Sequence, residues 1–305
     1  MYIICEYLHI YQGAENMLLT TLTEHMGDRL DPLKAIEIIA KAGFDSYDLS
    51  LFNTNLPFFG NDYKEYLKKV KRISDELGIK CTQSHAPFPT AIGGDDEFNK
   101  KRFSEVVRSI ECAAYLGAKI IVIHPIQHFA EGENALDMNI DFYGRLIPYA
   151  KENGIKIATE NMWGIDNKRG YIVKTVCSDA NDFNKLIDTV NSEYLVGCLD
   201  LGHCGLVGEE AADMIRKMGG KRIKALHIHD NDYLHDTHTM PYMSKMDWDS
   251  ILKALADIEY DGNFTYEADT FISGLPDELL LDAEIFMCKT GRYMINKIKE
   301  YKKAD

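Results

Sequence analysis

The feature that most constrains this chain is a recurring alternation of a short apolar run, a loop and a longer amphipathic segment. The runs fall at 2–7, 45–49, 80–84, 120–124, 156–160, 195–200, 225–229 and 264–267. Between them apolar residues recur at helical spacing, as in DPLKAIEIIAKAG (31–43), YKEYLKKVKRISDELG (63–78) and FSEVVRSIECAAYLG (103–117). Gly43, Gly78, Gly117 and Gly154 follow the last apolar turn of such segments, where a residue with positive φ commonly ends a helix. Strands buried on both faces read as unbroken apolar runs, and strands alternating with helices form parallel βαβ units. Eight units in 305 residues predict an α/β fold, one (β/α)8 TIM barrel over residues 1–305. No GxGxxG follows the first run, which argues against a dinucleotide-binding open sheet.

In such a barrel the chemistry collects at the C-terminal ends of the strands. Here the runs end almost without exception in ligand-type side chains: His85, His124, Glu160, Asp200, His227 with His229, and Glu267. Closure brings these ends to one ring, and several carboxylates there without counter-charge would be costly. A divalent cation removes that cost, so Glu160, Asp200, His227 and Glu267 are predicted to bind one metal ion. Three carboxylates and a neutral imidazole form a hard, oxygen-rich site suited first to Mn²⁺, and also to Mg²⁺ or Co²⁺, with Zn²⁺ compatible. The lack of thiolate ligands favours a catalytic site over a closed structural zinc. Alternate strand residues lie about 6 to 7 Å apart, so His227 and His229 do not share an ion. His227 is preferred, and His229 is read as a packing residue or loop anchor. His203, three residues after Asp200, faces the same cavity. The connection from 230 to 248 is long for a barrel loop, and such loops tend to be functional. Within it the alternation of Asp236 and His238 points both side chains one way, toward substrate. His235 reads as solvated, and His9, His25 and His128 as outside the site.

Composition narrows the partners. Apolar residues make up 46% and charged residues 27%, ordinary for a globular chain, but the net charge is -14. That balance works against gripping a polyanion, so no nucleic acid partner is predicted. Cys5, Cys81, Cys112, Cys177, Cys198, Cys204 and Cys288 show no paired spacing, consistent with reduced thiols in the cytoplasm. No run approaches the roughly 18 apolar residues that would span a membrane, and no secretory signal is read at the start. A small-molecule partner is expected, with a homo-oligomer compatible.

These residues carry a resemblance that covers nearly the whole chain. ATENMWG, VGCLDLGHC, ALHIHDND and YEAD together resemble the strand-end motifs of the xylose-isomerase-like barrel superfamily, which contains sugar isomerases and epimerases, inosose dehydratases and endonuclease IV. The resemblance places metal ligands on Glu160, Asp200, His227 and Glu267, and a substrate contact on His203. HDTHTMPYMSKMDW resembles the superfamily's Asp-x-His loop with its closing Asp-Trp, at Asp236, His238, Asp247 and Trp248, but the glycines between are missing, with Tyr242 and Ser244 near their places. The implied function is sugar isomerisation or epimerisation through a metal-bound enediolate, with Glu160 and Glu267 as the acid/base pair. His85, His124, His203, Trp163, Asp236 and His238 would contact a sugar or polyol. Two alternatives use the same residues: a dehydratase-type lyase, and an endonuclease IV-like abasic-site nuclease with up to three metals. Asn231 and Asp232 stand where some ketose epimerases place an Arg, which tilts the expectation toward a substrate without phosphate.

Overall fold

Helix starts and stops follow from local chemistry. The structure is a computed structural model and describes residues 17–304. Asp31, Asp95, Asn134, Asp179 and Asp247 accept backbone N–H bonds from the first turns of their helices, satisfying donors that a helix leaves unpaired. Gly43, Gly78, Gly117 and Gly154 end theirs at φ between 63° and 102°, as their spacing predicts.

Among the described residues ten strands form: β1 (Leu19–Leu22), β2 (Ser46–Ser50), β3 (Lys80–His85), β4 (Ile120–Val122), β5 (Lys156–Glu160), β6 (Trp163–Asp166), β7 (Tyr171–Lys174), β8 (Leu195–Asp200), β9 (Ile223–His227) and β10 (Phe264–Tyr266). Eight are parallel in the order β10-β1-β2-β3-β4-β5-β8-β9. The two ends meet where Ile228 N donates to Thr265 O (2.9 Å) and Glu267 N to Ile228 O (3.1 Å), so the sheet closes into the expected barrel. The run at 2–7 lies outside the described residues, and the first barrel strand seen is LTTL at 19–22. Its two threonines hid it from a search for apolar runs. β6 and β7 make an antiparallel ribbon leaving β5, also unanticipated because WGID and YIVK flank a polar turn rather than a helix.

The outer core lies between sheet and helices. The barrel interior is divided: Val122, Ala158, Val196, Cys198 and Ala225 form an apolar plug on the β4–β9 side. On the other side Thr20, Ser46, Thr82 and Asn263 form a chain of hydrogen bonds of 2.6–3.0 Å, and Thr265 donates to Gln83. The C-terminal helix Leu280–Ala304 presses Gly291 onto β1 and β10, where an added Cβ would stand 2.4 Å from Leu19 Cδ1 and 3.0 Å from Tyr266. Gly291→Val is therefore expected to destabilise the fold by about 1–3 kcal/mol. Urea denaturation would measure it, and an unchanged midpoint would show that this helix yields freely.

Candidate metal centre

The site is built from strand ends, the most rigid points of the fold. β3 ends in His85, β5 in Glu160, β8 in Asp200 and β9 in His227, while Glu267 follows β10 directly and His124 lies two residues past β4. Glu160, Asp200, His227 and Glu267 are buried and each offers a ligand atom, all within 4.8 Å of one another. His227 Nδ1 stands 2.9 Å from Glu267 and 3.2 Å from Glu160. The four residues predicted to share one ion are thus brought together.

Two more groups flank this one. His85, His124 and Glu160 form the first, with the imidazole Nε2 atoms 3.0 Å apart and 3.5 and 3.3 Å from Glu160 Oε2. His203, His229, Asp236 and His238 form the second, with His203 and His238 Nε2 at 3.2 and 3.3 Å from the Asp236 carboxylate. Glu160 belongs to both the central and the first group. His229 reaches Asp200 at 3.0 Å and stacks on His238 with centroids 3.9 Å apart. Its ring lies flat on Gly202, where a Cβ would come within 2.1 Å of it. His229 is therefore more than packing, since it joins the central and second groups; its separation from the His227 group follows the strand-spacing argument.

The donor chemistry fits cations. Glu160 Oε2, both ring nitrogens of His227, His229 Nδ1 and Asp236 Oδ1 are buried without a hydrogen-bond partner, a combination that natural interiors avoid. His85, His203 and His238 each give Nδ1–H to a backbone carbonyl, of Ala86, Asn161 and Glu267 at 2.8–2.9 Å. That fixes the tautomer and turns a bare Nε2 lone pair toward the group, the orientation of metal-ligating histidines. Among the described residues, no ion pair of Glu160, Asp200, Asp236 or Glu267 involves a lysine or arginine.

Without a cation the imidazoles must serve as counter-charge. Burial opposes ionisation of Glu160, yet His227 and His124 hold its carboxyl well below the usual range. Burial likewise pulls the imidazoles down. His227 is nevertheless raised well above an ordinary histidine by Cys198, Glu267 and Glu160, and His203 to about 10 by Asp200 and Asp236.

The remaining predicted residues also meet here. Trp163, at the base of the β6–β7 ribbon, donates Nε1–H to Asp236 Oδ2 at 3.0 Å. His235 is exposed and pairs only with Asp232, and His128 is exposed away from the groups; His9 lies outside the described residues. The glycine-poor loop keeps a glycine-like backbone, because Tyr242 takes φ 72° and His238 φ 41°. Sequence reasoning missed Asn161, whose amide donates to Asp200 O and accepts from Asp200 N, and whose carbonyl holds His203. It also missed Asp230, which accepts from Ser244 N, Met246 N and Trp248 Nε1 and so shapes the long loop. Their positions beside Glu160 and His229 were the available signal.

The chain belongs to the xylose isomerase-like TIM barrel family, whose model matches residues 36–288. It is 26% identical over 244 residues to the uncharacterized protein MJ1311 of Methanocaldococcus jannaschii, covering 76% of this chain and 78% of that one. It is 28% identical over 185 residues to a protein of Metamycoplasma arthritidis named Probable endonuclease 4, covering 57% of this chain and 61% of that one. Among solved structures, a D-tagatose 3-epimerase-like protein superposes with TM-score 0.75 at 20% identity, over 93% of this chain and 99% of that one. D-psicose 3-epimerase from Clostridium cellulolyticum H10 does so with TM-score 0.71 at 16% identity, over 92% and 99%. At these identities the superpositions establish the fold.

Because, despite burial, Cys198, Glu267 and Glu160 hold His227 well above the ordinary imidazole range, a cation bound at its ring must displace a proton. Titrating the metal-free protein with Mn²⁺ or Zn²⁺ is expected to release protons, and apparent affinity to rise with pH by up to roughly tenfold per unit for each proton displaced. Calorimetry in buffers of different ionisation enthalpy measures this; uptake of metal without proton release would contradict it.

Proposed function

We propose that this protein is a divalent-metal-dependent sugar isomerase or epimerase that moves a proton at the carbon beside a carbonyl. The observation that carries the reading is the pair of buried carboxylates, Glu160 on β5 and Glu267 after β10, set three strands apart around the mouth and both beside His227. A substrate seated between them would present opposite faces to the two carboxylates. One takes the C–H proton and the other returns a proton, general acid–base catalysis that either inverts that carbon or, with the proton returned to the neighbouring carbonyl carbon, makes that carbon the ketone and reduces its neighbour to the alcohol. Glu160, Asp200, His227 and Glu267 would hold the ion, which when bound supplies Lewis-acid stabilisation of the negative charge developing on the substrate oxygens. Mn²⁺ suits the oxygen-rich central group best.

His203 and His238, turned inward by their carbonyl partners, would bind substrate hydroxyls. Trp163 would wall the sugar from water while its indole N–H steadies Asp236. His85, edge-on to Phe52, and His124, stacked on Phe88, would position the far side of Glu160. Glu160 and Glu267 each keep a role as base despite ligating, because the surrounding imidazoles set how strongly each holds its proton.

Glu160→Gln and Glu267→Gln should each lower solvent deuterium exchange into ketoses by at least about 100-fold, with the circular dichroism spectrum unchanged. Full exchange in both variants would end the two-glutamate scheme. Screening free ketoses beside their phosphates, with product analysis for loss of water, separates the isomerase from a dehydratase-type lyase.

A second reading has its own support. The flanking groups around Glu160 and Asp236 are laid out for up to three cations with a shared carboxylate, a pattern suited to hydrolysis of a phosphodiester. The charge of -14 weighs against a duplex substrate. Incubating the metal-loaded protein with a labelled duplex carrying one abasic site decides: intact DNA is expected, and cleavage lost in Asp236→Asn would favour the nuclease.

A further inference from the structure

The polar groups of the metal centre account for recognition of a polyol, but the walls rising from it are apolar. On one side Phe52 packs edge-on to His85 with centroids 4.4 Å apart, and Phe88 stacks on His124 at 4.7 Å and 24°. These two phenyl rings are 5.0 Å apart, and Phe88 remains 45% exposed beside the ligand histidines. On another side stands the β6–β7 ribbon. Its register pairs Trp163 with Lys174 and Ile165 with Ile172, so these four share one face, apolar at Trp163, Ile165 and Ile172. The base of that face is in the site, because Trp163 bonds Asp236 and its ring lies 6.5 Å from His203. Two residues outward, roughly 7 Å along the strand, Ile165 is 54% exposed. More than half of this large aliphatic side chain is open to solvent on the ribbon.

Two of the ribbon's cations are engaged: Arg169 pairs with Asp166 at 2.6 Å, and Lys174 with Glu209 at 2.6 Å and Asp179 at 3.4 Å. A phosphate beside Phe88 and Ile165 would meet apolar walls. An uncharged apolar substituent would meet Phe88 and Ile165 directly.

The geometry points to a substrate of the glycoside class, a glycoside whose sugar ring carries a keto group at the metal centre, as proton transfer beside a carbonyl requires, and whose aromatic or other apolar aglycone lies along Phe88, Phe52 and the Trp163–Ile165–Ile172 face. This rests on the reading of the metal centre as sugar-binding and adds what the sugar carries. The phenyl and isoleucine surfaces would exclude water from the aglycone, and burial of its apolar area supplies affinity that a free sugar lacks.

The test uses the full chain loaded with Mn²⁺ and two probes with the same sugar, 4-nitrophenyl and methyl β-D-glucopyranoside, each titrated by calorimetry. The aryl glycoside is expected to bind at least tenfold tighter than the methyl one. In Ile165→Ser and in Phe88→Ser the ratio should fall below about threefold, with the weak binding of the methyl glycoside retained. Ile165→Ser alters only an exposed position, so its ratio is informative even where Phe88→Ser is poorly folded. Equal binding of the two glycosides, binding of neither, or an aryl preference untouched in Ile165→Ser would overturn the inference. Deuterium exchange into ketoses is scored separately. Exchange without aryl preference removes the aglycone site and leaves the isomerase reading, whereas aryl preference without exchange does the reverse.

Discussion

A buried carboxylate that needs positive charge governs this structure. Glu160 sits at the end of a central barrel strand, sealed from below by the apolar plug of Val122, Ala158, Val196, Cys198 and Ala225, and its Oε2 has no hydrogen-bond donor. Such a group is unfavourable by several kcal/mol unless charge reaches it. The imidazoles of His85, His124, His203 and His227 all approach within 3.3–3.6 Å or closer, and Asp200, Asp236 and Glu267 enlarge the demand. The carbonyl bonds that orient the imidazoles, and the glycine that lets His229 lie flat, make sense as ways of presenting lone pairs to cations at fixed points. The barrel contributes rigidity, since strand ends held on both sides by neighbouring strands move far less than loops.

Much of this was legible in the sequence because barrel closure turns a one-dimensional pattern into a ring. A histidine or carboxylate ending an apolar run has only one direction to go, and Glu160, Asp200, His227 and Glu267 were identifiable on that ground before any geometry. Asp236 and His238 were legible from their alternation. What was hidden depended on information that periodicity does not carry. β1 is four residues long with two threonines, of which Thr20 bonds Ser46 inside a partly polar barrel, so it resembles a turn. The β6–β7 ribbon arises where a helix was the default continuation. His229 looked redundant beside His227, because its role depends on the loop folding back through the Asp230–Thr239 bridge to set His238 on top of it.

The centre and the rim of the site obey different rules. The centre is built of groups whose positions are over-determined: the imidazoles of His85, His203 and His238 are each held by a ring contact and a carbonyl bond. The rim is built of side chains with few obligations, such as Phe88 and Ile165, attached to segments that the barrel does not constrain. On the proposed function, chemistry and substrate choice would be carried by separable parts of the chain, as is usual where a rigid barrel supports variable loops.

Asp230 shows how that separation is enforced. One carboxylate gathers Ser244 N, Met246 N and the Trp248 indole, pinning the returning limb of the long loop to the last strand before the loop departs. The loop is thereby a closed handle rather than a free arc. Substitutions at its outer bend, where Tyr242 and Met243 are half exposed, change the handle's outline without reaching the limb that bears Asp236 and His238. Such a device lets a lineage explore new surfaces at the mouth while the constellation of candidate ligands stays in register.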